Sequence, residues 1–425
     1  MALVAAGVAL VVLTGCTKSA TSSTSPSSSA GAGGAGQQVV SSAGQQQVVS
    51  SSTAGTAGTA GTAGSAGTAG SAGAAPSAST GTASSESGGG SAPASGSAPA
   101  ASTPAAVSSS GSSATPASGT CTYSTYGAPK LDLKSATVGF SQSEATSNPF
   151  RDTETKSITA EAKKLGIKLI QRNANANVAQ QNTDIENMIA QGAQVLIVAP
   201  ENSDGLAPAL AQAKAKKVPV LTIDRTVNGK ACSDFIGFIG SNFLGQAKIA
   251  ADDLAAALPD GGDVAVLQGT SGNNVATDRT KGFNTEIAVK NPKIKIVASQ
   301  TANFDQATGQ KITEQILQSN PNLKGIYAEN DTMAFGAIQA IKAAGKTPGK
   351  DIKVVAIDGT KQAVQYVVDG TMISDIETNP RFGPLAFQAL ADFYSSKGAA
   401  TNLIISDHHF TPANAKAALA NGDVY

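Results

Sequence analysis

From about residue 130 onward the chain switches between two hydrophobic periods. Near-continuous apolar runs rich in β-branched residues occupy positions 136–140, 194–199, 218–223, 263–268 and 353–357. That is the pattern of strands buried on both faces of a parallel sheet. Between the runs, apolar residues recur at helical spacing. Val178, Ile185, Met188 and Ile189 share one face, and Leu244, Ala247, Ala251, Leu254 and Leu258 share another. Strand and helix alternate about ten times, which predicts an α/β fold of doubly wound parallel sheets. So many units overfill one compact sheet, and about 300 residues suffice for two lobes with separate cores.

The first part of the chain has neither period. Residues 17–120 are Ser, Gly, Ala and Thr with some Pro and Gln, and Lys18 and Glu86 are their only charges. With few large apolar side chains, burial does not offset the entropy of ordering, so a disordered linker is expected over 17–129. A flexible chain of this length has an r.m.s. reach of roughly 55 Å. An O-glycosylated stalk fits the same composition. Ahead of it, residues 1–13 form an apolar run too short to cross a bilayer, ending in Leu13-Thr14-Gly15-Cys16. This ending resembles the lipobox of bacterial lipoproteins, although no Lys or Arg precedes the apolar run. The resemblance implies a signal peptide over 1–16, lipid on Cys16, and a mature protein held to the outer face of the cell membrane. An ordinary cleaved signal peptide is the alternative.

The whole chain carries 30 Lys and Arg against 30 Asp and Glu, and setting the two linker charges aside leaves 29 of each sign. A neutral domain without a basic run gives no footprint for nucleic acid. If Cys16 is lipidated, Cys121 and Cys232 remain as an even pair in an oxidising compartment. A disulfide between them is expected, with two free thiols as the alternative. No C-x-x-C spacing suggests zinc or thioredoxin chemistry, and no metal is expected.

In doubly wound sheets, ligands sit at the carboxyl ends of the strands. Here those ends are polar. Ser141-Gln142 and a loop ending Asn148-Pro-Phe-Arg151 follow the first run, and Asp224-Arg225 follows the third. A Gly-rich loop and Asp278-Arg279 follow the fourth, then come Glu329-Asn330-Asp331 and Asp358-Gly359. Each alone reads as a helix cap. Together, three with arginine, they outline one cleft.

At these residues the chain resembles the type I periplasmic sugar-binding proteins of ABC importers. The segments Gly139-Phe-Ser-Gln142, Asp224-Arg225, Asp278-Arg-Thr-Lys-Gly-Phe283, Glu329-Asn-Asp331, Gly336-Ala-Ile-Gln-Ala-Ile341 and Ile357-Asp-Gly359 occur in the family's order, within a similarity covering 134–425. Among that family, the chain resembles its galactofuranose-binding members. The resemblance implies a periplasmic-binding-protein type I fold. One lobe would span 130–240 and 379–405, and the other 241–378 and 406–425. Hinge crossings would fall near Gly240-Ser241, Thr378-Asn379 and Ile405-Ser406. It places Ser147, Asn148, Phe150 and Arg151 at the cleft. Asp224 and Arg225 would bind neighbouring hydroxyls, Arg279 would reach in from the second lobe, and Asn330 and Asp358 would complete the polar ring. Phe150, where Trp is usual, and Phe304 would pack the sugar ring. Thr378 falls where Gln is common, and Glu329 replaces a His.

The implied ligand is a monosaccharide, galactofuranose or a similar furanose. Carboxylates accept and guanidinium forks donate to adjacent hydroxyls, and such charge-assisted bonds are about twice as strong as neutral ones. A monomer without cofactor is expected, serving ABC permease subunits with a separate ATPase, because the chain has no Gly-x4-Gly-Lys-Ser/Thr loop. A sensing role beside a chemoreceptor or sensor kinase fits the same residues. An enzyme is not expected. Asp224 and Asp358 are a conceivable glycosidase pair, but each belongs to a polar or arginine-paired setting, and neither Gly-x-Ser-x-Gly nor His-Glu-x-x-His occurs in the folded region. A sugar-responsive repressor would carry a helix-turn-helix where this chain has its linker.

Overall fold

The computed structural model describes residues 114–116 and 119–425. Cys16 and the expected signal peptide lie outside them, as does most of the linker.

The N-terminal lobe begins with β1 (Ala114–Pro116), β2 (Thr120–Cys121) and α1 (Tyr123–Tyr126). It continues through β3 (Thr137–Gln142), α2 (Pro149–Leu165), β4 (Lys168–Asn173), α3 (Val178–Ala190), β5 (Val195–Val198), α4 (Ala207–Ala215), β6 (Val220–Ile223) and β7 (Phe238–Gly240). The C-terminal lobe follows with α5 (Phe243–Ala257), β8 (Gly262–Gln268), α6 (Asn274–Lys290), β9 (Ile294–Thr301), α7 (Gln306–Ser319), β10 (Gly325–Ala328), α8 (Asp331–Ala343), β11 (Lys353–Asp358), α9 (Lys361–Val368) and β12 (Ser374–Glu377). The chain returns to the first lobe for α10 (Gly383–Tyr394), β13 (Ala399–Ala400) and β14 (Asn402–Ile405). It ends in the second with β15 (His409–Phe410) and α11 (Ala415–Asn421).

Among the described residues, a seven-stranded sheet runs β1-β14-β7-β6-β5-β3-β4 and a six-stranded sheet β15-β12-β11-β10-β8-β9. Each is parallel except for one antiparallel edge strand, β1 or β15. In both, the first strand of the βαβ series lies inside the second, so the order reverses beside β3 and beside β8. Those switch points open a crevice at the strands' carboxyl ends.

Strands such as β5 and β10 are buried at every position, as apolar runs covered by helices on both faces must be. The stripes read from sequence face these sheets. Ile185 and Met188 are buried with Val178 and Ile189 packed against the same cluster, and Ala247, Ala251 and Leu254 are fully buried. Helix α2 starts where Asn148 Oδ1 caps the Phe150 amide and Pro149 fixes the first turn, and it stops at Gly166, left-handed with φ 71°.

The chain crosses between sheets at 241–242, 378–382 and 406–408. The linker expected over 17–129 is corrected at its far end. Residues 114–116 pair with β14, β2 pairs with β13, and Cys121 is fully buried and bonded to Cys232 with S–S 2.05 Å. Strands of two or three residues have no periodicity for a sequence to display. Tyr126 adds to the seam, edge-on to Phe393 at 5.8 Å.

Candidate functional site

The polar strand ends of both sheets converge on one cavity, partly open to solvent, with about 300 Å³ of empty space. Glu144, Asn148, Phe150, Arg151, Asp224 and Arg225 line it from the first lobe, and Val275, Arg279, Phe304, Asn330, Asp358 and Thr378 from the second. Ten of the expected residues are thus together. Ser147 is not. It is exposed on the loop before α2 and is absent from the lining, because the Asn148 cap turns the chain into the helix one residue later.

The first lobe supplies a buried ion network. Arg151 bonds Asp224 (Nη1–Oδ2 2.7 Å), Glu154 (2.9 Å) and Glu144 (Nε–Oε2 3.1 Å). Arg225 bonds the other oxygen of Glu144 (2.7 Å) and Glu201 (3.1 Å). Glu144 therefore bridges both guanidiniums. Burial pushes its carboxyl up, but Arg225 and Arg151 outweigh that and hold it at about 2. Glu154 goes the other way. Burial, against Arg151 and with Asp224, lifts it to about 7. Sequence reasoning missed Glu144, Glu154 and Glu201. Glu144 gains its role where Arg225 meets it from 81 positions away, whereas Glu201 lies 24 positions before Arg225 and Glu154 one helical turn after Arg151.

In the second lobe, Arg279 is 2% exposed and reaches Thr378 Oγ1 (2.6 Å), Asp358 (3.3 Å) and Gln246 Oε1 (3.3 Å), besides donating to the Glu329 carbonyl. Thr378 accepts from Arg279 and from Gln246, which leaves its O–H to donate. Burial raises Asp358 well above the carboxylate range despite Arg279. The Nε–H groups of both Arg225 and Arg279 are buried without an acceptor. Such orphan donors cost free energy unless a ligand satisfies them.

Two rings flank the polar groups. Phe150 is buried with the Arg151 guanidinium 5.0 Å from its centroid and Tyr425 edge-on at 6.2 Å. Phe304 follows Asn303 in the left-handed region, both with φ 56°, a backbone state that costs energy and is found where a side chain must be aimed. Its ring lies against Gly269, where an added Cβ would meet it at 1.9 Å. Asn148 and Asn330 line the cavity while capping α2 and α8.

The lobes touch across the cleft. The Ser203 amide donates to the Gly272 carbonyl (2.8 Å), the Thr226 amide to Asn274 Oδ1 (2.9 Å), and Arg225 sits 5.5 Å from the Phe304 centroid. Among the described residues no group of His, Cys, Asp or Glu is arranged to hold a metal ion.

Two lobes of matching topology, three crossings and a polar cleft with aromatic walls define a bilobal receptor for a small polar solute. The periplasmic binding protein domain family matches residues 138–397. The ribose import binding protein RbsB of Bacillus subtilis is 34% identical over 62% of this chain and 83% of that protein. The galactofuranose-binding protein YtfQ of Escherichia coli is 36% identical over 60% of this chain and 81% of that one. A Mycobacterium smegmatis structure in complex with β-D-fucofuranose superposes with TM-score 0.65 at 34% identity, covering 68% of this chain and 95% of that chain. The chain belongs to the type I periplasmic sugar-binding proteins of the ABC importer family.

Proposed function

We propose that this protein captures a furanose, galactofuranose or a sugar close to it, in the inter-lobe cavity and delivers it to an ABC permease driven by a separate ATPase. The observation that carries the reading is the convergence of three guanidiniums from three separate elements, the first turn of α2, the loop after β6 and helix α6, two of them with a buried Nε–H left over, between two aromatic rings. A furanose with an exocyclic diol spreads its hydroxyls farther apart than a compact pyranose, which suits donors arriving from separate elements. The rings take the apolar C–H face. The likeness to a galactofuranose-binding protein and to a structure in complex with β-D-fucofuranose supports the same choice.

The direct ligands in this reading are Asn148, Arg151, Asp224, Arg225, Arg279, Asn330, Asp358 and Thr378, with Phe150 and Phe304 stacking. Glu144 and Glu154 hold the arginines in place. The protein works outside the membrane, anchored through lipid on Cys16.

Calorimetry against methyl galactofuranoside, L-arabinose, D-ribose, D-glucose and D-xylose tests the ring form. The furanoside is expected to bind tightest, and tighter binding of glucose or xylose overturns the claim. Asp224→Ala and Arg279→Ala are each expected to lose at least about 2 kcal/mol, much of it from partner groups left buried and unpaired. Unchanged affinity in both removes the site. For the anchor, Cys16→Ala should move the protein from the membrane to the soluble fraction. Retention equal to wild type refutes lipidation.

A further inference from the structure

The three crossings between the lobes meet at one side chain. Asp407, in the third crossing, accepts at Oδ1 from the Ser241 hydroxyl of the first crossing (3.0 Å) and the Asn379 amide of the second (3.4 Å). Its Oδ2 accepts from Gln246 Nε2 at 2.9 Å. Gln246 is 3% exposed on the first turn of α5, and the two hydrogens of the same amide nitrogen are shared among Asp407, the Glu377 carbonyl (2.8 Å) and Thr378 Oγ1 (2.9 Å). Its amide oxygen accepts from Arg279 Nη2. A continuous hydrogen-bonded path thus runs from the guanidinium in the cavity, through one amide, to a carboxylate that touches every crossing. The second and third crossings are tied again beside it. Glu377 Oε2 accepts from the His408 amide (3.1 Å) and lies 2.5 Å from His408 Nδ1, and the Glu377 amide donates to the His408 carbonyl (2.8 Å).

We propose that Asp407 is a hinge clasp that couples occupation of the cavity at Arg279 to closure of the lobes, with Gln246 as the link between them. Rotation about the crossings must change the distances from Asp407 to Ser241 and to Asn379, because the three groups belong to three separate strands of chain. A ligand that fixes Arg279 also fixes Gln246, and Gln246 fixes Oδ2. The path has a set polarity. Arg279 can only donate, so Gln246 must present its oxygen to Arg279 and its nitrogen to Asp407, and Asp407 must present an acceptor. An amide at position 407 fits the space but sets donor against donor at one end of the path or the other.

The inference rests on the proposal that the cavity binds a sugar, and the experiment separates the two. Hydrogen exchange of the full chain is followed by mass spectrometry at pH 8, above the value of about 7 to which burial lifts Asp407, with and without methyl galactofuranoside, alongside calorimetry. In the wild type the furanoside is expected to slow exchange at 241–246, 377–382 and 405–408 together with the loop at 224–226. In Asp407→Asn the loop keeps its protection, the crossings lose theirs, and affinity falls at least about tenfold, as when the closed form is a tenth as populated. Ser241→Ala, which cuts one tie and leaves Gln246 in place, should lose protection at 241–246 alone. A purely structural Asp407 would lower the melting temperature and leave the pattern of protection intact. Wild-type affinity and wild-type protection in Asp407→Asn overturn the clasp. If the furanoside protects nothing in the wild type, the furanose reading falls. The clasp is then judged on unliganded protein, where Asp407→Asn must speed exchange at all three crossings and unchanged exchange there overturns it.

Discussion

Glu144 is the side chain on which both first-lobe arginines converge. Its side chain is 12% exposed, and its carboxylate shares one oxygen with each guanidinium, at 3.1 and 2.7 Å. Removing one partner of a buried ionic cluster leaves the others unpaired, at about 3–5 kcal/mol. Glu144→Ala is therefore expected to lower unfolding stability by about 3 kcal/mol or more in urea titration. A loss under about 1 kcal/mol would mean that Glu154, Glu201 and Asp224 suffice to hold the two arginines. The contrast with Arg151 and Arg225 explains what could be read in advance. The arginines stand directly after or near predicted strand ends, so position alone marked them. Glu144 lies among other polar residues of a loop, and its bond to Arg225 spans 81 positions of sequence. Its significance arises only from the fold. Ser147 is the converse case, a residue in the marked loop that the helix cap turns outward.

Elements with a period were legible, and those without were not. The five apolar runs contain or overlap β3, β5, β6, β8 and β11, and the two stripes face the sheets as α3 and α5. The seam where the domain begins was invisible beyond its cysteine pair, because β1, β2, β13 and α1 are two to four residues each. What holds that seam is covalent. The Cys121–Cys232 bond joins β2 to the loop between β6 and β7, across a sequence separation of 111. Closing so long a loop stabilises by up to about 4–5 kcal/mol in the chain-entropy model. Reductant, or Cys121→Ser with Cys232→Ser, should lower the melting temperature by several degrees, and intact mass should show two thiols only after reduction. A melting temperature indifferent to reductant would mean that the β1–β14 and β2–β13 pairings carry the seam alone.

At the scale of the whole molecule, the dominant feature is the amount of carboxylate buried around the cleft and hinge. Burial lifts Glu154, Glu329 and Asp407 to about 7, and Glu201 and Asp331 to about 6. It raises Asp358 and Asp375 well above their ordinary range. A carboxyl raised on folding contributes stability that is fully present below its unfolded pKa and is lost as pH rises through its folded one. His408, raised by its hydrogen bond to Glu377, has the same sign, since its charged form is favoured in the fold and lost at higher pH. Glu144, held at about 2, has the opposite sign, but its contribution disappears only as pH falls below the ordinary carboxylate range. Between pH 5.5 and 8 the raised groups therefore act alone and in one direction. The unliganded protein is expected to melt at a lower temperature at pH 8 than at pH 5.5, with most of the fall between pH 6 and 7.5. Glu329→Gln keeps the shape that accepts from the Gly269 amide at 2.7 Å and removes one titrating group, so it should flatten part of that slope. Differential scanning calorimetry across this range decides the matter, and a melting temperature that rises toward pH 8 would show these carboxylates to be ionised and paired in the fold.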